Sequence, residues 1–124
     1  MTMKRAILEM GMGNDLHGGD YTKAAQRAVN DALHHSSLSF IRTLNIDKKK
    51  LYVNVTIGVQ NPESVNIDKI RASLPIGIVS VDVVKGGLDV PDYENDDPAV
   101  IASAAIEVMF CLLYTSDAAD DGLS

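Results

Sequence analysis

Asp15 and His17 stand two residues apart in the run MGMGNDLHGG, residues 10–19, with Gly11, Gly13, Gly18 and Gly19 around them. In an extended segment, side chains two apart point the same way, so the pair can share one ligand. Three roles follow from these residue types. Asp15 can orient His17 as a general base, both can ligate a metal, or Asp15 can cap the loop while His17 packs. Two ligands fall short of a metal site, so no metal is expected. The glycines permit positive φ and close backbone approach, which a loop needs if its N–H groups are to cradle an anion. The run leads into a helix start, where free N–H groups favour negative charge. It is not the dinucleotide fingerprint G-x-G-x-x-G, since Leu16 occupies the third glycine's place, and no Lys-Ser/Thr pair makes it a P-loop. A tight strand-to-helix turn is the plainer alternative.

Lys85, followed by Gly86 and Gly87, closes a later strand and could hold an anionic or carbonyl oxygen, or could be a solvated lysine on a turn. His34 and His35 fall at a helix end, where a protonated imidazole suits the dipole. The acidic run DYENDD, residues 92–97, lacks the EF-hand spacing and reads as a solvated loop.

The elements that position these residues follow from periodicity. Residues 4–10 alternate as a first strand, with Ala6, Leu8 and Met10 on its core face. After Asp20 as N-cap, Ala24, Ala25, Ala28, Val29, Ala32 and Leu33 form one apolar helical stripe. Its alanines let the helix lie close against a sheet. Leu51, Val53, Val55, Ile57 and Val59 alternate as a second strand. Ile67, Ile70 and Leu74 mark a short helix that Pro75 ends. Val79, Val81 and Val83 alternate in a third strand, and Val100, Ala102, Ala104, Ile106 and Val108 in a fourth. The order β-α-β-α-β-β predicts an α/β (α+β) two-layer sandwich, a four-stranded mixed sheet with two helices on one face. The other face would then carry Ile7, Glu9, Asn54, Thr56, Ser80, Asp82, Ser103 and Glu107, a small and polar set suited to contact with another subunit.

The chain of 124 residues is 46% hydrophobic with net charge −6, which predicts one domain with a true core and argues against a nucleic-acid partner. No apolar run approaches the ~20 residues of a membrane span, and the N-terminus lacks a signal-peptide pattern, so a cytoplasmic protein without a membrane partner is expected. Residues 111–124 break the pattern of the preceding strand, and CLLYTSDAADD resembles a translated sequencing adapter. The expected division is therefore residues 1–110 as one α/β domain and 111–124 as a non-native tail, which removes Cys111 and with it thiol chemistry.

The pattern Gly11-x-Gly13-x-Asp15-x-His17-Gly18 resembles the signature of the Lin-type conserved hypothetical family of bacteria and plants. TKAAQRAVNDAL, YVNVTIGV, VVKGGLDV and VIASAAIEV also look like family blocks, so the likeness covers residues 3–109. That family implies no activity. A looser likeness links the glycine run and KGGLDV to one repeat unit of the ring-opening amidohydrolases, the cyanuric acid hydrolase and barbiturase group. Three such units surround one site in those enzymes, so the likeness implies a homotrimer, or a multiple of three, acting on a cyclic amide or ureide. Lys85 stands where those enzymes place a serine. The resulting expectation is a small-molecule site near a subunit interface with no cofactor. Gly11, Gly13, Gly18, Gly86 and Gly87 would shape it, and Asp15, His17 and Lys85 would act in it. The alternative is a non-catalytic ligand-binding or structural oligomer in which Asp15 and His17 brace the loop.

Overall fold

The computed structural model of the chain describes residues 2–34, 51–74 and 77–112. Strand β1 (Thr2–Asp15) leads into helix α1 (Tyr21–Leu33), then β2 (Leu51–Val59), a 3-10 turn (Pro62–Ser64) and helix α2 (Ile67–Ala72). Strands β3 (Ile78–Lys85), β4 (Leu88–Val90) and β5 (Ala99–Leu112) complete the described elements. His35 and Pro75 lie outside the described residues, as does the stretch 113–124 of the expected tail. Strand β5 itself runs to Leu112, two residues past the expected domain boundary, with Cys111 paired to Met3. No helix of the described residues is long and apolar enough to cross a membrane.

The strands form one mixed sheet in the order β1-β5-β2-β3, with β4 beside β5. β5 is antiparallel to β1, β2 and β4, while β2 and β3 run parallel. Both helices follow from local signals. Asp20 accepts the Lys23 N–H at 3.0 Å and Asn66 accepts the Lys69 N–H at 3.2 Å, each satisfying a donor that a helix start leaves open. The predicted stripe of α1 is its buried face, with Ala24, Ala25, Ala28, Val29 and Ala32 closed to solvent. It covers the alternating rows of β2 and β5, from Leu51 to Val59 and from Val100 to Val108. Burying these aliphatic rows supplies the main favourable term, at roughly 1.5–3 kcal/mol per large side chain.

Three expectations are corrected. The sheet has five strands rather than four, because the chain turns back after Lys85 and lays β4 along β5 beyond the end of β2. Gly87 makes this crossing, with φ +61 and its Cα so placed that a Cβ would lie 2.2 Å from the Ile101 carbonyl oxygen. Strand β1 does not stop at Met10 but continues through the glycine run to Asp15, so Gly11 and Gly13 belong to a strand and not to a loop. Its faces are also the reverse of those expected. Cross-strand partners share a face, and Ile7 pairs Val108, Gly11 pairs Ala104 and Gly13 pairs Ala102. Ile7 and Glu9 therefore face the helices, while Leu8 and Met10 face away and are exposed. The cause is the close seat of α1: a Cβ on Gly11 would stand 2.4 Å from the Ala32 nitrogen, and one on Gly13 2.2 Å from that of Ala28. Only the glycine face of β1 fits under the alanine face of α1. A register shift between Arg5 and Ile7 then resets the strand before this contact.

Candidate functional site

The register brings the carboxyl ends of β1, β2 and β3 to one rim of the sheet, with the amino ends of β5 and α1 beside them. Asp15 pairs Val100, Gly58 pairs both Ser103 and Val84, and Val59 pairs Lys85. Asp15, His17, Gly18, Lys85, Gly86 and Gly87 all belong to this rim. Gly11 and Gly13 do not: they lie under α1, closed by helix backbone, and shape the helix–sheet contact instead of a ligand loop.

Asp15 and His17 are turned to different partners. Asp15 is buried at 4% exposure, and its Oδ2 accepts the Asp20 N–H at 2.8 Å. Its Oδ1 lies 3.6 Å from the Arg27 guanidinium, which also donates to the Asn14 carbonyl at 2.7 Å. Asp15 thus braces the entry to α1. The His17 side chain is 86% exposed, with Nδ1 3.1 Å from Asp97 Oδ2. Asp97 Oδ1 accepts the Gly18 N–H at 2.8 Å. The expectation that both side chains project together required extended backbone, and residues 16–18 bend, with Gly18 at φ +94.

Lys85 is exposed at the end of β3, and the glycines after it are held by backbone. The Gly86 N–H donates to the Val59 carbonyl at 2.9 Å, and Gln60 Nε2 donates to the carbonyls of Gly86 and Gly87, each at 3.1 Å. Among the described residues, no three His, Cys, Asp or Glu side chains converge on a point where a metal ion could sit. His34 is a local matter: its Nδ1 lies 2.6 Å from the Asn30 carbonyl at the end of α1.

Several rim residues were missed by sequence reasoning. Asp89 pairs Val100 from the side opposite Asp15, and its carboxylate takes the Tyr21 phenol. Two carboxylates on strands flanking Val100 therefore hold the first turn of α1. The hydrogen bond to Asp89, with burial second, raises the Tyr21 phenol above its ordinary value, so it remains a donor. Asp97 and Asp89 lie 79 and 68 residues from their partners Gly18 and Tyr21, and no local pattern announces such pairs. Gly58 could have been found, since a lone glycine inside a strand marks a close backbone approach. A Cβ there would meet Ser103 Oγ at 3.0 Å and the Gly86 Cα at 3.3 Å.

The acidic loop is ordered by its own carboxylates. Asp92 is held below the usual carboxylate range by the Asn95 side chain and then by the Glu94 and Asn95 N–H groups. Asp97 is lowered first by the Gly18 N–H and then by His17. The native carboxyl is the stronger acid, so the contribution of this tether is complete above the unfolded value, near ~4, and is lost as pH falls through the lower folded value. Amide exchange of Gly18, corrected for its intrinsic pH dependence, should stay protected at neutral pH and lose protection only in acid. Asp97→Asn should lose much of that acid dependence. An acid dependence unchanged in Asp97→Asn would place control of the tether with another group.

The sequence profile of a family described as conserved hypothetical protein (Lin0512_fam) matches residues 5–108. The chain belongs to this family. A crystal structure of an FtsZ-like protein of unknown function from Nostoc punctiforme is similar to it, with a TM-score of 0.76 and 34% sequence identity over 89% of this chain and 98% of that one. A search of the curated proteins gives no match. The family stretch contains the whole rim, and its Gly-x-Gly-x-Asp-x-His-Gly run divides physically in two. Its first half packs a helix on a strand, and its second half ties two loops together.

Proposed function

We propose that this member of the family is a non-catalytic, self-associating module that works through the open face of its sheet. One observation carries the reading. Leu8, Met10, Met12, Ile78, Val84 and Leu88 are all exposed, and the strand register puts all six on the face opposite the helices. Met10 and Met12 are 68% and 64% exposed. The six line the two margins of one face, and interfaces gather exposed apolar side chains in this way. The polar residues expected there, Asn54, Thr56, Ser80, Asp82, Ser103 and Glu107, share the face, so it is more apolar than the sequence suggests but not a membrane-like surface. The reading stops short of catalysis because Asp15, the carboxylate expected to orient His17, is engaged by Asp20 and Arg27 instead.

Light scattering on the full chain tests this. The native mass should be a multiple of the chain mass, and Met10→Asp should lower it to that of one chain without altering the circular dichroism. A wild-type mass of one chain at ~100 μM, a concentration far above the Kd of most stable complexes, would remove the proposal.

A small-molecule site is the second reading, and the rim supports it. Open α/β sheets take ligands outside the carboxyl ends of their strands, and Asp15, His17, Gly18, Lys85, Gly86 and Gly87 sit at such ends. In that reading Lys85 holds an anionic or carbonyl oxygen, and cyclic amides or ureides are the substrates to screen. Ring opening of barbiturate, followed by its ultraviolet absorbance and abolished in Lys85→Ala, would establish it.

A further inference from the structure

The relief of the open face is uneven, and this deepens the self-association reading on which the inference rests. Strand β1 presents Leu8, Met10 and Met12 as a ridge of long side chains along one margin. Across the middle the next two strands present shorter ones, Ser103 and Ala105 on β5 and Thr56 on β2, and Glu107, between Leu8 and Asn54, closes this trough at one end. The pairs Met10–Ala105 and Ala105–Thr56 show that ridge and trough lie side by side in one register. We propose that two copies of this chain pack open face to open face about a two-fold axis, each laying its β1 ridge into the trough of β5 and β2 on the other.

Shape, charge, area and edge chemistry support a second copy as the occupant. An isologous contact needs one patch that is complementary to itself, and a ridge beside a trough supplies one. Sheets packed face to face stand about 10 Å apart and interdigitate their side chains, which a ridge against a trough allows and a ridge against a ridge does not. The chain carries net charge −6, so two copies repel at most surfaces. On this face Arg5 and Glu107 pair at 3.1 Å, which leaves Asp82 as the charge not offset among its described residues. Four strands about 4.8 Å apart and about 30 Å long give a footprint of about 600 Å² before relief is counted. A standard interface takes about 800 Å² of accessible surface from each partner, so the whole face is the right size.

Joining strand to strand is disfavoured at the carboxyl end of the β1 edge. The outward Met12 N–H donates to Asp31 Oδ2 at 2.9 Å, and the outward Asn14 carbonyl accepts from Arg27 at 2.7 Å. Side chains of α1 thus occupy the edge groups that another strand would need. A two-fold contact uses each open face once and closes at two copies. A threefold ring would need a different surface.

The test combines native mass with cross-linking of the full chain. Met10→Cys and Thr56→Cys are made separately, each with Cys111→Ser, and mixed with a short bismaleimide after subunit exchange. Both positions are exposed, so the variants should fold. The expected result is a native mass of two chains and a cross-linked dimer that forms in the mixture and in neither variant alone. A cross-link in Met10→Cys alone would set ridge against ridge and overturn this geometry while self-association stands. A two-chain mass with no cross-link in the mixture would do the same and move the interface elsewhere. A native mass of one chain would overturn both readings and leave the face to an unrelated partner.

Discussion

Gly13→Ala is expected to lower the stability of the fold by about 3 kcal/mol, the upper end for one methyl forced into a filled contact. The added Cβ would lie 2.2 Å from the Ala28 nitrogen, 2.5 Å from the Ala24 carbonyl oxygen and 2.6 Å from the Arg27 carbonyl carbon. All three are backbone atoms of α1, so no side chain can turn aside. The helix would have to lift from the sheet, opening the seam where Ala24, Ala25, Ala28 and Ala32 are wholly buried. Gly19→Ala is the control, since its Cβ would meet nothing within 4 Å and only its φ of +60 strains an alanine. That substitution should cost about 1–2 kcal/mol. Urea unfolding of the two variants measures the difference. Equal losses would mean that α1 does not sit close enough on β1 to exclude a methyl group.

Asp15→Ala is expected to cost about 2 kcal/mol, because it strips a buried charged acceptor from the Asp20 N–H and leaves Arg27 without its carboxylate neighbour. His17→Ala should stay within about 0.5 kcal/mol of the parent, as exposed polar pairs contribute little. This asymmetry separates two residues that the sequence presents as a pair. Thermal or urea unfolding reads it directly. Loss of stability in Asp15→Ala with none in His17→Ala assigns Asp15 to bracing the start of α1. If Asp15→Ala is as mild as His17→Ala, the carboxylate is not engaged as described, and the rim regains a side chain able to act on a ligand.

Both predictions concern the run that first suggested chemistry, and they mark where sequence reasoning held and where it failed. The stripe of α1 and the alternating rows of β2 and β5 were legible, because a period of 3.6 or of 2 states which residues share a face. The N-cap at Asp20 was legible too, since its carboxylate acts on an N–H three residues away. Such features depend only on neighbours along the chain.

In β1 the same logic could not choose. Ile7, Gly11 and Gly13 make one alternating set and Leu8, Met10 and Met12 the other, and hydrophobicity favours the wrong one. Periodicity says which residues travel together, but not which set another element will cover. That was decided by α1, whose alanines come so near that only glycine fits beneath them. Strand β4 was hidden for a related reason. Three residues have too little pattern to announce a strand, and its place depends on β2 ending where β5 continues. The rim was half legible. Asp15, His17, Gly18, Lys85, Gly86 and Gly87 could be picked out by type, but their partners Asp97, Arg27 and Gln60 come from other elements. By itself the sequence determined the local elements, the close-packing alanines and the family. Tertiary structure decided which face of β1 meets them, and so left a ridge of leucine and methionine on the outside.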